Sequence, residues 1–320
     1  MAEIYTKKKD LLIPARLMPG DVIGIAAPAS PFDTSKFYKG IKEIESMGFK
    51  TNIYDDLFET KGYLAGSDRH RADLLDRLFE DKDVDAIICA RGGFGSLKIL
   101  PLINYEIIEK NPKIFIGFSD VTALLTSMYF KCGLLTFHGP MVTTLTENSQ
   151  ISKKSLFSTL TSDAEIRVVA DNGVVINKGK ASAYVCGGNL ATLCHTIGTF
   201  FEPDFNGHIL FLEEYGESPY RIDRMLTQMK LAGCFDGIAG LALGTFKDCG
   251  DFKNIVKIID NIFLDFDIPV LSGFDIGHGY NNLTVPVGGR AELDTDKRTL
   301  SFRKASDNFL NTCISQNETC

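Results

Sequence analysis

The sequence predicts an α/β protein: a doubly wound parallel sheet first, then a second domain that begins with antiparallel β structure. Three observations predict it. Short apolar runs alternate with amphipathic helical stretches from residue 21 to residue 130, the pattern of right-handed strand–helix–strand units. Two of those runs end in glycine-containing turns, R-G-G-F-G-S at residues 91–96 and G-F-S-D at 117–120, at the strand ends where such sheets hold their ligands. After Pro140 the texture changes: residues 143–162 are rich in Ser, Thr, Asn and Lys, and short β-branched segments follow.

Taken in order, residues 21–27 (D-V-I-G-I-A-A) form a first strand. Phe37, Ile41, Ile44 and Met47 share one face of a helix that Gly48 stops. Residues 50–54 are a second short strand, and residues 67–79 an amphipathic helix with Ser67 or Asp68 as cap and Leu74, Leu75 and Leu78 inward. Residues 84–90 (V-D-A-I-I-C-A) are a third strand, and Ile114, Phe115 and Ile116 a fourth, buried on both faces. Residues 122–130 are helical. In the second half, 166–169, 174–176 and 181–185 read as antiparallel strands, and Gly187-Gly188-Asn189 as the opening of a helix. Strands at 209–212, 238–243 and 270–274 alternate with helices at 222–229 and 252–263; residues 290–302 form a closing hairpin, and the polar tail from 306 to 320 frays. A chain of 320 residues with this change of texture divides into two domains, 1–160 and 161–320.

Composition narrows the function. Hydrophobic residues at 44% and charged residues at 23% are those of an ordinary globular protein, and a net charge of −7 argues against nucleic-acid or anionic-membrane partners, which want a basic face. The basic cluster Lys7-Lys8-Lys9 has no apolar core after it and no run is long enough to span a bilayer, so a cytoplasmic location is expected. Eight scattered cysteines show no C-x-x-C and no Cys/His ligand spacing; they read as reduced core residues, with no disulfide framework, metal or cofactor indicated.

The chemistry centres on residues 113–122, K-I-F-I-G-F-S-D-V-T. Strand, tight turn, serine, helix is a layout that lifts a hydroxyl above a sheet edge, and the helix start offers free N–H groups to whatever that hydroxyl attacks. Ser119 or Asp120 could equally cap the helix. An activated serine needs a base and the base an orienting acid. Of five histidines, His70 lies on a charged helix face, His195 and His208 read as structural, His138 before Gly-Pro stays open, and His278 stands between glycines at a strand end with room for a ligand. Glu213 and Glu214 sit where another strand runs out, with Glu217 behind; the residues alone do not separate the first two. The order Ser119, Glu213, His278 is one known from α/β serine hydrolases. The R-G-G-F-G loop could lend backbone donors to an oxyanion; it is neither G-x-G-x-x-G nor a Walker loop, which weighs against a nucleotide site.

Together these stretches resemble the LD-carboxypeptidase family of serine peptidases, which includes muramoyltetrapeptide carboxypeptidases and microcin C immunity peptidases. The resemblance is carried by P-G-D-V-I-G-I-A-A-P-A-S (19–30), G-Y-L-A-G-S-D-R-H-R-A-D-L (62–74), A-R-G-G-F-G-S (90–96), I-G-F-S-D-V-T (116–122) and F-H-G-P-M (137–141). It continues in C-G-G-N-L (186–190), L-F-L-E-E-Y-G-E-S-P-Y-R-I-D-R-M-L (210–226) and G-H-G-Y-N-N-L-T-V-P-V-G (277–288), nearly the whole chain in register. It implies a flavodoxin-like N-terminal domain joined to a smaller β-rich α/β C-terminal domain, a dimer, and a site between the domains. It further implies Ser119 as nucleophile, Glu213 as the residue orienting His278, His278 as general base, and an oxyanion hole from the N–H of Asp120 and of Gly92 or Gly93. The implied substrate is a small peptide ending in a D-amino acid, without metal or cofactor. In the immunity branch a tryptophan stacks on a nucleobase; this chain contains no Trp, and its motif versions look like the cell-wall branch. A peptidyl-nucleotide substrate is the alternative, and a cleft kept only for binding or a nucleotide-binding module are the other classes.

Overall fold

The structure is a computed structural model that describes residues 10–302; the basic N-terminal cluster and the 306–320 tail lie outside the described residues. In chain order the first half runs β1 (Val22–Ala26), α1 (Thr34–Ser46), β2 (Lys50–Asn52), α2 (Asp68–Glu80), β3 (Ala86–Cys89), α3 (Ser96–Ile99), α4 (Tyr105–Lys110), β4 (Ile114–Gly117), α5 (Thr122–Cys132), β5 (Thr136–His138) and α6 (Gln150–Thr161). The second half follows with β6 (Ile166–Val169), β7 (Val175–Asn177), β8 (Lys180–Asn189), α7 (Leu190–Cys194), β9 (His208–Tyr215), α8 (Pro219–Leu231), β10 (Gly240–Lys247), α9 (Phe252–Phe263), β11 (Val270–Ser272), β12 (Val285–Val287), β13 (Arg290–Asp294) and β14 (Thr299–Phe302).

Five parallel strands in the order β2-β1-β3-β4-β5 make the predicted doubly wound sheet. β3 and β4 are buried at every position, as continuous apolar runs require when helices cover both faces. A sixth strand, β12, arrives from near the end of the chain and pairs antiparallel with β5, setting Val285 opposite His138. The second sheet has eight strands in the order β6-β14-β13-β8-β9-β10-β11-β7. Its centre, β8 to β11, is parallel. Each of the three early β segments has an antiparallel partner, yet none pairs with another: β6 joins β14, β7 joins β11 and β8 joins β13, while β8 is parallel to β9 on its other side. The stretch read as a connection, 143–162, contains α6, capped by Ser149 and held by buried Leu156 and Leu160. Gly187, Gly188 and Asn189 belong to β8, and the helix starts one residue later, with the Asn189 side chain accepting from the Thr192 amide.

The two sheets meet at α5. Eight of its eleven residues are buried, so it has no wet face, the mark of a helix enclosed by protein. At its first turn the Asn189 amide on β8 donates to Thr122 Oγ1 at 3.1 Å. At its far end Tyr129 Oη and His208 Nε2, at the start of β9, lie 3.0 Å apart. Close approach is permitted by glycine: a Cβ on Gly188, at φ 145°, would stand 2.5 Å from Thr122 Oγ1.

Gly187 serves the neighbouring β8–β9 ladder in the same way, since a Cβ there would fall 1.9 Å from the Phe211 carbonyl oxygen at φ 147°. Gly187→Ala is therefore expected to destabilise the fold by about 2–4 kcal/mol through strand separation and backbone strain. Urea unfolding should show the midpoint falling with an unchanged m-value.

Candidate active site

β4 delivers Ser119. Gly117 ends the strand because Val121 folds back over it: a Cβ at Gly117 would sit 2.5 Å from Val121 Cγ1. Phe118 is extended and Ser119 then takes φ 63°, the left-handed region that serine rarely occupies. Only two other non-glycine residues among the described ones share a positive φ, Asp248 and Arg298. The capping alternative is not what the structure contains. No side chain caps α5, and the Asp120 carboxylate instead accepts the Ser96 amide at 2.8 Å.

That bond is one of several that hold the R-G-G-F-G loop beside Ser119. A Cβ on Gly92 would lie 3.1 Å from Ser119 Cβ, so the loop backbone runs against the serine. Ser30 Oγ accepts the Phe94 amide at 3.1 Å, and the Ser30 amide donates to Gly92 O at 3.3 Å. The fully buried Arg71 donates through Nη1 to Gly95 O at 2.8 Å and to Pro28 O, while Nη2 pairs with Asp68. Among the described residues the amides of Gly92, Gly93 and Asp120 donate to no acceptor, which leaves them available to a ligand. Burial raises the Asp120 carboxyl above its ordinary range, against the hydrogen bonds from Ser96 and Gly95.

Glu213 lies inside β9, fully buried, and its Oε2 accepts both His278 Nδ1 at 2.6 Å and the His278 amide at 3.2 Å. Gly277 makes this possible: at φ 105° its missing Cβ would have stood 2.3 Å from Glu213 Oε2. The Gly277 amide is itself held by Asn282 Oδ1 at 2.9 Å. The imidazole of His278 stacks on Tyr215, centroids 5.1 Å apart at 14°, and meets the Phe118 ring edge-on at 4.8 Å. Burial alone would lower the His278 pKa, but the charge and hydrogen bond of Glu213, helped by Glu214, raise it above the ordinary value.

Glu214 points the other way, as strand alternation demands. It accepts Asn189 Nδ2 at 2.9 Å and the amides of Ala191 and Tyr215, both at 2.8 Å, and burial raises its pKa. Glu217 pairs with Arg221 at 3.3 Å on α8, away from the histidine. Ser119, Asp120, Gly92, Gly93 and His278 all line one cavity of about 790 Å³, with Arg91 on its rim. Of the candidates named from the sequence, Ser119, Asp120, Gly92, Gly93, Glu214 and His278 line this cavity, whereas Glu213, Glu217 and His138 do not.

Several residues here were not foreseen. His195, read as structural, lines the cavity together with Asn189 and Thr192. Arg71, next to His70 on the stretch read as a charged helix face, is the brace of the glycine loop; its neighbours Asp68, Arg69 and His70 in the sequence concealed its burial. His70 lies near Asp56 and Glu59 on the outside of α2. His138 is fully buried beneath the site. Among the described residues no group of three or more His, Cys, Asp or Glu could hold a metal ion, and no helix is long and apolar enough to cross a membrane.

A two-sheet α/β architecture with this turn and this acid–histidine pair has the parts of a serine-type hydrolase, and comparison identifies the family as one of serine-type carboxypeptidases. Residues 23–139 match the LD-carboxypeptidase N-terminal domain and residues 182–293 the LD-carboxypeptidase C-terminal domain. The chain belongs to the LD-carboxypeptidase family. It is 36% identical over 296 residues to a probable murein peptide carboxypeptidase of Bacillus subtilis, covering 89% of this chain and 92% of that protein. It is 31% identical to the microcin C7 self-immunity protein MccF of Escherichia coli, covering 91% and 95%. Among solved structures it superposes on wild-type MccF with a TM-score of 0.85 at 29% identity, covering 92% and 98% of the two chains. It also superposes on the muramoyltetrapeptide carboxypeptidase of Oxalobacter formigenes, with a TM-score of 0.79 at 28% identity, covering 88% and 99%.

The sign of the His278 shift is testable without substrate. In Glu213→Gln the raising charge is gone and burial remains, so the His278 midpoint should fall below its ordinary value of 6.5. A histidine-selective NMR titration of wild type and variant measures it; an unmoved midpoint would break the assigned pairing.

Proposed function

We propose that this protein is a serine LD-carboxypeptidase that removes the C-terminal D-alanine from muramoyl or murein tetrapeptides, in cell-wall recycling. The observation that carries the reading is the left-handed Ser119, at φ 63°, sharing a cavity with a His278 whose Nδ1 is held by Glu213 at 2.6 Å. With Nδ1–H donated to the carboxylate, Nε2 is the free base. Ser119 Oγ attacks the carbonyl that precedes the terminal D-residue as Nε2 takes its proton. The tetrahedral oxyanion receives the amides of Asp120 and of Gly92 or Gly93, each such donor being worth roughly a hundredfold to a thousandfold in rate. Collapse passes the proton from Nε2 to the leaving amine and leaves an acyl-enzyme, and a water activated by the same nitrogen releases it. No step requires a metal or cofactor.

On this reading residues 1–160 carry the nucleophile and residues 161–320 the glutamate and histidine, and the enzyme works as a cytoplasmic homodimer. The cell-wall substrate is supported by the named murein peptide relative and by the absence of tryptophan, the residue that would stack on a nucleobase. The second reading, an immunity-type peptidase cleaving a peptidyl-nucleotide amide, is favoured by the closer superposition on MccF, 0.85 against 0.79.

Mass spectrometry of a muramoyl tetrapeptide ending in D-Ala separates these. Wild type should release one alanine, and Ser119→Ala should reduce the rate by roughly 10⁴-fold or more, because members of such a unit fail together. Cleavage by both proteins would discard Ser119 as nucleophile; cleavage of a peptidyl-nucleotide alone would move the protein to the second reading.

A further inference from the structure

His138 ends β5 directly below the site, fully buried, and neither of its ring nitrogens has a hydrogen-bond partner. A buried imidazole left so is unusual, since nearly all buried polar groups are paired with protein or ordered water. Its surroundings say what it serves. The ring lies between Phe118, centroids 5.8 Å apart, and Phe211, 5.0 Å away at 87°. Phe118 is the ring that also packs edge-on against His278. Phe211 stands two residues before Glu213 on β9, on the same face of the strand, so the carboxylate follows it towards His138. The other oxygen of that carboxylate, Oε1, is buried and also lacks a partner. Two further unpartnered buried atoms, Asn282 Nδ2 and Thr284 Oγ1, belong to the segment after His278, and Thr284 Oγ1 would lie 2.7 Å from a Cβ on Gly139, next to His138.

We propose that His138 is a positioning residue for Glu213: a neutral imidazole that donates, through one ordered water, to Oε1, the carboxylate oxygen that His278 does not use. A polar pocket with several convergent partners is what holds a buried water. His138 is not among the residues lining the cavity, so it touches no substrate; it acts by holding the second oxygen of Glu213 and sharing its charge. Burial lowers its pKa to about 4, against the charge of Glu213 and together with that of His278, so it stays neutral at physiological pH and keeps one donor and one acceptor. The charged groups acting on His278 in turn are Glu213 and Glu214 on β9 and Lys247 on β10. The role in turnover rests on the function proposed above, whereas the hydrogen bonding does not.

Two variants and one substrate-free readout test it. His138→Phe keeps the ring and removes the donor; His138→Gln keeps a donor. Without the donor the Glu213 charge is shared less and holds imidazolium more strongly, so NMR should show the His278 midpoint rising by roughly half a unit or more in His138→Phe and staying near wild type in His138→Gln. Turnover of the tetrapeptide should fall about tenfold in kcat with KM unchanged in His138→Phe, and be largely kept in His138→Gln. An unshifted His278 midpoint with wild-type kcat in His138→Phe overturns the proposal. So does equal damage in both variants with the midpoint unmoved, which would be packing alone. Wild-type protein decides should a variant not fold: a His138 that titrates near 6.5, or whose ring proton exchanges freely, contradicts the assignment. If wild type cleaves no tetrapeptide, the proposed function fails and the NMR midpoints still judge His138.

Discussion

The candidate site is divided between two sheets, and its geometry depends on the contact that closes the seam. The Ser119 turn lies at the start of α5, Glu213 on the second sheet and His278 on the segment that follows β11; the Asn189 amide bonded to Thr122 Oγ1 at 3.1 Å joins the two sides close to the site. The contact is possible because Gly188 lacks a Cβ and because α5 is buried from Thr122 to Met128. Asn189 then turns its side chain to Glu214, tying the same β8 residue to β9, the strand that carries Glu213. β12 adds a second tie, since the chain that has just delivered His278 goes on to pair with β5 of the first sheet. Both ties cross the seam between the two sheets.

Electrostatics then divides two adjacent buried carboxylates. Glu213 and Glu214 would repel if they shared a face, but strand alternation sends them apart and each meets a different set of donors. Glu214 is held by amides and a side-chain amide and acts on structure; Glu213 is held by a titratable ring and so couples its charge to protonation. The glycine loop is braced from behind by Arg71 and the Asp120 carboxylate, and on the proposed reading its uncharged amides stabilise the developing negative charge.

How much of this was legible follows from distance along the chain. The Ser119 turn was readable because strand, glycine, serine and helix lie within ten residues. The parallel sheet was readable from periodicity, since its units repeat locally. Pairing partners were not: β6 finds β14 more than a hundred residues away, and nothing in Ile166–Val169 encodes that. α6 was missed because polar Ser152 and Thr159 are among its buried residues, which hides the apolar stripe. Alternation shows that Glu213 and Glu214 face opposite ways, but only the placement of Gly277 against Glu213 says which one meets the histidine. Arg71 was hidden by its charged neighbours, since such a residue on a helix looks solvated until the tertiary structure closes over it; His195, read as structural, is instead exposed at the cavity, which only the placement of α7 beside the Ser119 turn reveals.

The most direct test of the central claim, that one site spans the seam, is a crystal structure of Ser119→Ala with a muramoyl tetrapeptide bound. The account predicts the scissile carbonyl carbon over residue 119, with its oxygen about 3 Å from the amides of Asp120 and of Gly92 or Gly93, and the leaving nitrogen towards His278 Nε2. A peptide bound away from residue 119, or with its carbonyl oxygen turned from those amides, would contradict it.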